Sequence, residues 1–280
     1  MFKGKEHKKL GVGRMYKLIA LDMDGTLLNE AKEITQENYE AIQAAKANGK
    51  QVILATGRPL AGVQRYLEHL DLVSDEDYVV AFNGALVQKT KSGEIISKTP
   101  LSIEDYQYLY EISRKLGVHI HALTESYVTT PINNKYTEVE AEINQIPIIE
   151  KQLFEIDEKE TIVKVMFIDE PEILDQAIEN MPKEIYEKYT VLRSMPFFLE
   201  FLDKRVNKGY GVSQVAEALG IEADQVICVG DAGNDLDMIE YAGLGVAMGN
   251  AFEEVKEIAN YVTLSNEESG VAHVIKKFMI

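Results

Sequence analysis

The sequence predicts an α/β protein: a doubly wound parallel sheet interrupted by an inserted α+β domain. Three observations carry this expectation. Short runs rich in Val, Ile and Leu alternate with helical patterns at both ends of the chain, as strands do in a parallel sheet covered by helices on both faces. The middle, residues 87–203, mixes polar and apolar residues within its strand-like runs, which suggests an antiparallel sheet with interspersed helices. A length of 280 residues is also long for one compact core and natural for two.

The elements follow in order. In residues 15–86, "KLIALD" leads into a helix near 35–49, where Ile34, Ala41, Ile42 and Ala45 recur at helical spacing. "QVILAT", a helix near 60–70 and "YVVAFNG" come next. Within 87–203, "KSGEII" offers a turn between two strand-like pieces. "VHIHALT", "TIVKVMFID", "YTVLRS" and "FFLEFLD" read as strands, with helices near 103–116 and 171–181. Over 204–280 the alternation resumes: a helix near 208–219, "QVICVGD", a helix near 234–242, "LGVAM", a helix near 251–258, "YVT" and a C-terminal helix. Residues 1–14 are basic and lack a following apolar region, so they read as an extension rather than a secretory signal, with Met15 as the natural start.

Composition narrows the function classes. Hydrophobic residues make up 46% and charged residues 27%, an ordinary globular balance. No apolar stretch approaches the roughly 20 residues that span a bilayer, so no membrane partner is expected and the cytoplasm is the default location. The single cysteine, Cys228, lies in an apolar run and reads as a buried small hydrophobe, which suits a reducing compartment. A net charge of −17 argues against a nucleic-acid partner. It also requires any anionic substrate to be received by a local cation or metal. Nothing in the sequence sets the oligomeric state.

Ligands of open α/β sheets bind beyond the carboxyl ends of strands, where strand order reverses. Four such ends are chemically loaded: "ALDMDGT", "LATGRP", "VNKGYG" and "VGDAGND". In the first, Asp22 and Asp24 sit close enough to repel and raise each other's pKa. Asp24-Gly25 is also a turn signal, but a plain turn has no need of Asp22 at the end of a buried strand. A calcium loop is excluded because Leu27 occupies the position that requires glycine.

Each of the others has a bland account. Thr56, Gly57 and Pro59 can cap and open a helix, or the threonine hydroxyl and glycine N–H can face a bound anion. Lys208 can be a solvated surface charge. Asp231, Asn234 and Asp235 can form an Asx-capped loop, or turn hard oxygen ligands towards a divalent cation. "GLGVAMG" superficially matches a dinucleotide fingerprint, but its glycine spacing is wrong and no helix opens from it, so a closely packed strand is the better account.

Together, in this order and on these strand ends, the four stretches resemble the haloacid dehalogenase-like (HAD) superfamily of phosphohydrolases. "DMDGT" is similar to its first motif, "TGR" supplies the second-motif threonine, Lys208 the third, and "GDAGND" the fourth. The insert looks like the large cap of the Cof-type branch. "FNGA", "FLDKRVNKGYGV" and "EYAGLGVAMGNA" look closest to the YidA-like sugar phosphatases within it.

The resemblance implies a Rossmann-like core (15–86 and 204–280), a cap (87–203), and hydrolysis of small phosphorylated metabolites through an aspartyl-phosphate. Asp22 would be the nucleophile and Asp24 the acid–base. The Asp22 carboxylate, the Asp24 carbonyl and Asp231 would hold Mg2+. Lys208, Thr56, Gly57, Asn234 and the Met23 backbone N–H would bind phosphoryl oxygens. Asp235 would hold the metal's water shell or Lys208 rather than the ion itself, and Arg58 and Asn83 would line the entrance. The cap would choose the leaving group, from polar candidates His121, Thr124, Asn133, Asn134, Lys135, Arg193 and Glu200 that the sequence does not rank. A phosphosugar mutase is the nearest alternative, and a non-enzymatic module carrying phosphate on Asp22 as a signal is the second.

Overall fold

Leu18–Leu21 forms β1, and all four of its residues are buried. The computed structural model describes residues 15–157 and 160–280, so the expected extension over 1–14 lies outside the described residues. After β1, Thr35 caps α1 (Gln36–Ala47) by accepting from the Asn38 N–H, and the helix buries Ala41, Ile42 and Ala45. β2 (Gln51–Ala55), α2 (Leu60–His69) and β3 (Tyr78–Ala81) follow.

β4 (Leu86–Lys89) and β5 (Ile95–Lys98) form the "KSGEII" hairpin, with Gly93 in its turn at φ 71°. β4 pairs antiparallel with β3, Val80 opposite Val87, so this hairpin extends the first sheet. Residues 87–97, expected in the inserted domain, therefore belong with the core, and the division falls at Ser97 rather than 86.

The second unit comprises Gly57–Arg65 and Lys98–Val206. In it, α3 (Ile103–Leu116) starts on a reciprocal Ser102/Asp105 cap and stops at left-handed Gly117. β6 (His119–Leu123), β7 (Val128–Thr130), α4 (Lys135–Asn144) and β8 (Ile148–Glu150) come next. They are followed by β9 (Lys164–Ile168), α5 (Pro171–Glu179), α6 (Lys183–Lys188), β10 (Tyr189–Met195) and β11 (Phe198–Asp203).

The sheet order is β10-β11-β9-β6-β7-β8, antiparallel except for the β7–β8 pair. Alternate residues Ile120, Ala122, Val165, Phe167 and Phe201 pack against Tyr106, Leu109 and Leu174 of the helices. This is the expected α+β pattern. Helices α4 and α6 were not foreseen, and α4 shows why: Thr137, Glu140 and Asn144 are among its few buried positions, so it has no apolar period to read.

The first unit resumes with α7 (Lys208–Ala218), β12 (Val226–Gly230), α8 (Leu236–Tyr241) and β13 (Leu244–Ala247). It ends with α9 (Glu253–Ile258), β14 (Tyr261–Val262) and α10 (Gly270–Phe278). The order β14-β13-β12-β1-β2-β3-β4-β5 is parallel from β14 to β3. After β1 the chain moves to β2 on one side, and β12 later takes the other. The carboxyl end of β1 is therefore the switch point, where such sheets bind ligands. No helix among the described residues is long and apolar enough to cross a membrane.

Candidate active site

Asp22 follows β1 directly. Its backbone N–H donates to Val229 at 3.0 Å, so the parallel ladder fixes where its side chain starts, and it is 6% exposed. Lys208 opens α7 behind Asn207, whose side chain accepts from the Tyr210 N–H at 2.7 Å. The lysine is fully buried, and its Nζ donates to Asp22 Oδ1 at 2.5 Å and to Asp235 Oδ1 at 2.7 Å. It is thus not the solvated charge of the bland reading.

Asp235 Oδ2 accepts from the N–H groups of Asp231 and Ala232 at 2.9 and 3.0 Å. With both oxygens engaged, Asp235 buttresses the lysine and the Asp231 loop. Asp231 follows β12 and is half-buried. Its Oδ1 accepts from Thr26 Oγ1 at 2.7 Å, and its carbonyl from the Phe252 N–H at 3.0 Å. Gly25, at φ 88°, passes so close that a Cβ there would lie 2.4 Å from Asp231 Oδ2. Only glycine meets both demands.

Carboxylate oxygens of Asp22, Asp231 and Asp235 lie within 4.8 Å of one another. Three carboxylates and one lysine leave the cluster two positive charges short. Burial first, and then the neighbouring Asp235 and Asp231, hold the Asp22 carboxyl well above its ordinary range, against the pull of Lys208. Burial likewise pushes Asp231 up to about 6 despite the Thr26 hydrogen bond. Burial by itself would lower Lys208, but Asp22 and Asp235 outweigh it and hold the ammonium above the usual lysine range. A divalent cation would supply the missing charge, and an all-oxygen donor set suits a hard one. The residues fit such an ion.

The remaining expected residues fall as follows. The Met23 carbonyl accepts from the N–H groups of Thr26 and Leu28 at 3.3 and 2.9 Å, closing the tight turn after β1. Asp24, its side chain 40% exposed, pairs with Lys32 at 2.7 Å. Thr56, immediately after β2, is buried; its N–H donates to Val80 and its carbonyl accepts from the Asn83 N–H, both at 2.9 Å. Gly57 and Arg58 group with the second unit, where Arg58 Nη1 donates to the Gly62 carbonyl at 3.3 Å. Asn234 Nδ2 donates to Asn83 Oδ1 at 3.1 Å. Asn83 is 3% exposed, so the entrance position expected for it is corrected to an interior one.

Sequence reasoning missed Thr26, Lys32 and Asn250. Asn250, in "AMGNA", donates from Nδ2 to the Gly25 carbonyl at 2.8 Å. In the second unit the polar candidates serve local structure. Thr124 accepts from the N–H groups of Ser126 and Tyr127, Asn134 caps α4, Lys135 pairs with Glu170, and Arg193 with Asp175. Asn133 Nδ2 reaches Glu138 at 3.5 Å, and His121 is wholly buried against Met166 and Thr137. Glu200 and Glu140 share the buried Lys164 at 3.0 and 3.1 Å.

A buried cluster of three carboxylates and one lysine thus stands at the switch point of a doubly wound sheet. The family model for haloacid dehalogenase-like hydrolases matches residues 19–275. The chain belongs to that family and is an enzyme of the phosphatase class. It is 48% identical to the Bacillus subtilis protein named "Putative phosphatase YxeH" over 95% of this chain and 99% of that one. It is 31% identical to the 5-amino-6-(5-phospho-D-ribitylamino)uracil phosphatase YcsE of Bacillus subtilis, over 94% of this chain and 96% of that one.

Among solved structures, a haloacid dehalogenase-like hydrolase from Bacteroides thetaiotaomicron superposes with a TM-score of 0.82 at 34% identity, covering 94% of this chain and 99% of that one. The subclass IIB sugar phosphatase BT4131 gives 0.77 at 27% identity, covering 94% and 98%.

Proposed function

We propose that the chain is a Mg2+-dependent phosphatase that hydrolyses small phosphorylated metabolites, sugar phosphates foremost, through an aspartyl-phosphate on Asp22. The observation that carries this reading is the buried Lys208–Asp22 pair at 2.5 Å, clustered with Asp231 and Asp235 at the switch point. Lys208 opposes the burial that would protonate this carboxylate, a bound cation would complete the neutralisation, and the ionised carboxylate is a competent nucleophile.

In the first half-reaction an Asp22 oxygen bonds to phosphorus as the bond to the leaving oxygen breaks, and Asp24 gives that oxygen its proton. In the second, Asp24 takes a proton from water as the water oxygen bonds to phosphorus, releasing inorganic phosphate and restoring Asp22. Acid–base participation of this kind contributes about 10²–10⁴ in rate. Lys208, Thr56, Gly57, Asn234 and the Met23 N–H hold the phosphoryl oxygens in line. The Asp22 carboxylate, the Asp24 carbonyl and Asp231 would hold Mg2+, which when bound would supply charge neutralisation on the transferring group.

The sugar-phosphate choice is supported by the likeness to a sugar phosphatase. The relative named for a phosphorylated ribitylamino pyrimidine widens the class to phosphorylated polyols. The test is a panel of both kinds of ester with Mg2+, ranked by kcat/KM, with EDTA and Asp22→Asn controls. Phosphate release that requires Mg2+ and Asp22 is expected. Undiminished turnover by Asp22→Asn would refute the nucleophile. Conversion of glucose 1-phosphate to glucose 6-phosphate without phosphate release would identify a mutase.

A further inference from the structure

Beyond β3 the backbone does something costly. Phe82, Asn83 and Gly84 run in succession through left-handed conformations, at φ 51°, 55° and 98°. Glycine enters that region freely and asparagine tolerates it, but a bulky phenylalanine is an outlier there. Strain of this kind persists only where surrounding structure over-determines it, and it clusters at functional sites.

The turn is held on several sides, all within the first unit. The Asn83 N–H donates to the Thr56 carbonyl at 2.9 Å, and the Ala85 N–H to Phe82 at 3.1 Å. Gly84 lies against the residue that precedes Lys208: a Cβ at Gly84 would fall 2.2 Å from the Asn207 carbonyl oxygen. Asn83 Oδ1 accepts from Asn234 Nδ2 at 3.1 Å. One strained turn thus joins the loops that carry Thr56, Lys208 and Asn234.

We infer that Asn83 is a positioning residue for phosphate recognition. Its side-chain oxygen selects the orientation of the Asn234 carboxamide, so that the second N–H of Asn234, rather than its carbonyl, is presented to a phosphoryl oxygen. A primary amide left to itself offers either edge, and its oxygen would repel an anion. The buried acceptor on Asn83 removes that choice. This rests on the phosphatase reading given above. The backbone alone gives no reason for asparagine, since glycine would make the same turn with less strain. The side chain has to be the reason.

That contrast supplies the experiment. Asn83→Gly keeps a turn-compatible backbone and deletes only the side chain, so its melting temperature is expected to equal or exceed that of the wild type. Its kcat/KM is expected to fall by about three- to tenfold, the worth of one neutral hydrogen bond, and inorganic phosphate to weaken as a competitive inhibitor by a similar factor. In an Asn234→Ala background the same change is expected to add nothing, because the two residues act as one.

Full activity and unchanged phosphate inhibition in a folded Asn83→Gly protein would reduce Asn83 to a turn former and overturn the inference. Losses that add to those of Asn234→Ala would overturn it too. If the glycine variant does not fold, Asn83→Ala is read by the same criteria. Asp22→Asn, assayed alongside, separates the two levels. Activity there sinks the phosphatase mechanism, whereas an inactive Asp22→Asn beside an unimpaired Asn83→Gly sinks only the role of Asn83.

Discussion

Binding of Mg2+ to the acidic cluster is expected to expel protons and to reverse how stability depends on pH. In the metal-free protein, burial displaces Asp231 from 3.8 to about 6. At 1.36 kcal/mol per pH unit this is about 3 kcal/mol by which the ionised group disfavours the metal-free fold at neutral pH. The folded value lies above the unfolded one, so the folded state keeps a proton that the unfolded chain has released. The contribution is fully present below pH 3.8 and is lost as pH rises through 6. Between pH 7.5 and 5, protonation of Asp231 returns about 1.4 kcal/mol. That corresponds to a rise of about 3–6 °C in melting temperature for a chain of this size. Asp105, held down near 2 by its partners, acts in the opposite direction only below 3.8, outside this window.

The assays are a melting series at several pH values with and without Mg2+, and calorimetric titration of Mg2+ in buffers of different ionisation enthalpy. At pH 6, about half a proton per ion is expected to leave Asp231, with almost none leaving it at pH 8. Saturating Mg2+ is expected to abolish the rise in melting temperature on acidification. Binding at pH 6 without proton release, or a metal-free protein that melts lower at pH 5 than at 7.5, would refute the account of a cluster two positive charges short.

Three further outcomes are expected. Asp22→Asn removes one of the crowded carboxylates, so the variant is expected to lose turnover while its metal-free melting temperature is no lower than the wild type's; a large drop would show that Asp22 stabilises the fold. Thr26→Val deletes the hydroxyl that donates to Asp231 Oδ1 at 2.7 Å, and loss of such a supporting partner is expected to weaken Mg2+ binding about 10–100-fold by calorimetry; unchanged affinity would detach Thr26 from the site. Lys164→Met leaves Glu140 and Glu200 buried without their shared cation, at a cost of about 3–5 kcal/mol read from the urea midpoint of the unfolding step of the second unit; a shift under 1 kcal/mol would mean that those carboxylates are protonated in the fold.

How much of this was legible in the sequence depends on whether a residue's position is fixed by its covalent neighbours or by a distant loop. Asp22, Thr56 and Asp231 were legible because each ends an apolar run that can only be a buried strand, and parallel strands deliver their ends to one edge. Lys208 and Asp235 became legible through the family resemblance, and the structure adds that the lysine is buried between two carboxylates. The hairpin over 86–98 was read correctly as two strands but assigned to the wrong sheet, since its own residues do not say that Tyr78–Ala81 is its partner.

The same limit hid Asn250, which reaches Gly25 across 225 residues, and Lys32, which returns to Asp24 only because a Leu28–Ile34 bridge closes the loop between them. Asn83 lay between these cases: its strand end was recognised, but its burial follows from a left-handed turn that no propensity favours for the Phe82 before it. What local pattern conveys is therefore Asp22, Asp231 and their shared edge. What it leaves out is the set of neutral side chains that tie the loops together: Thr26 to Asp231, Asn83 to Asn234 and Asn250 to Gly25. Charge announces itself at a strand end, whereas orientation is supplied by loops that meet only after folding.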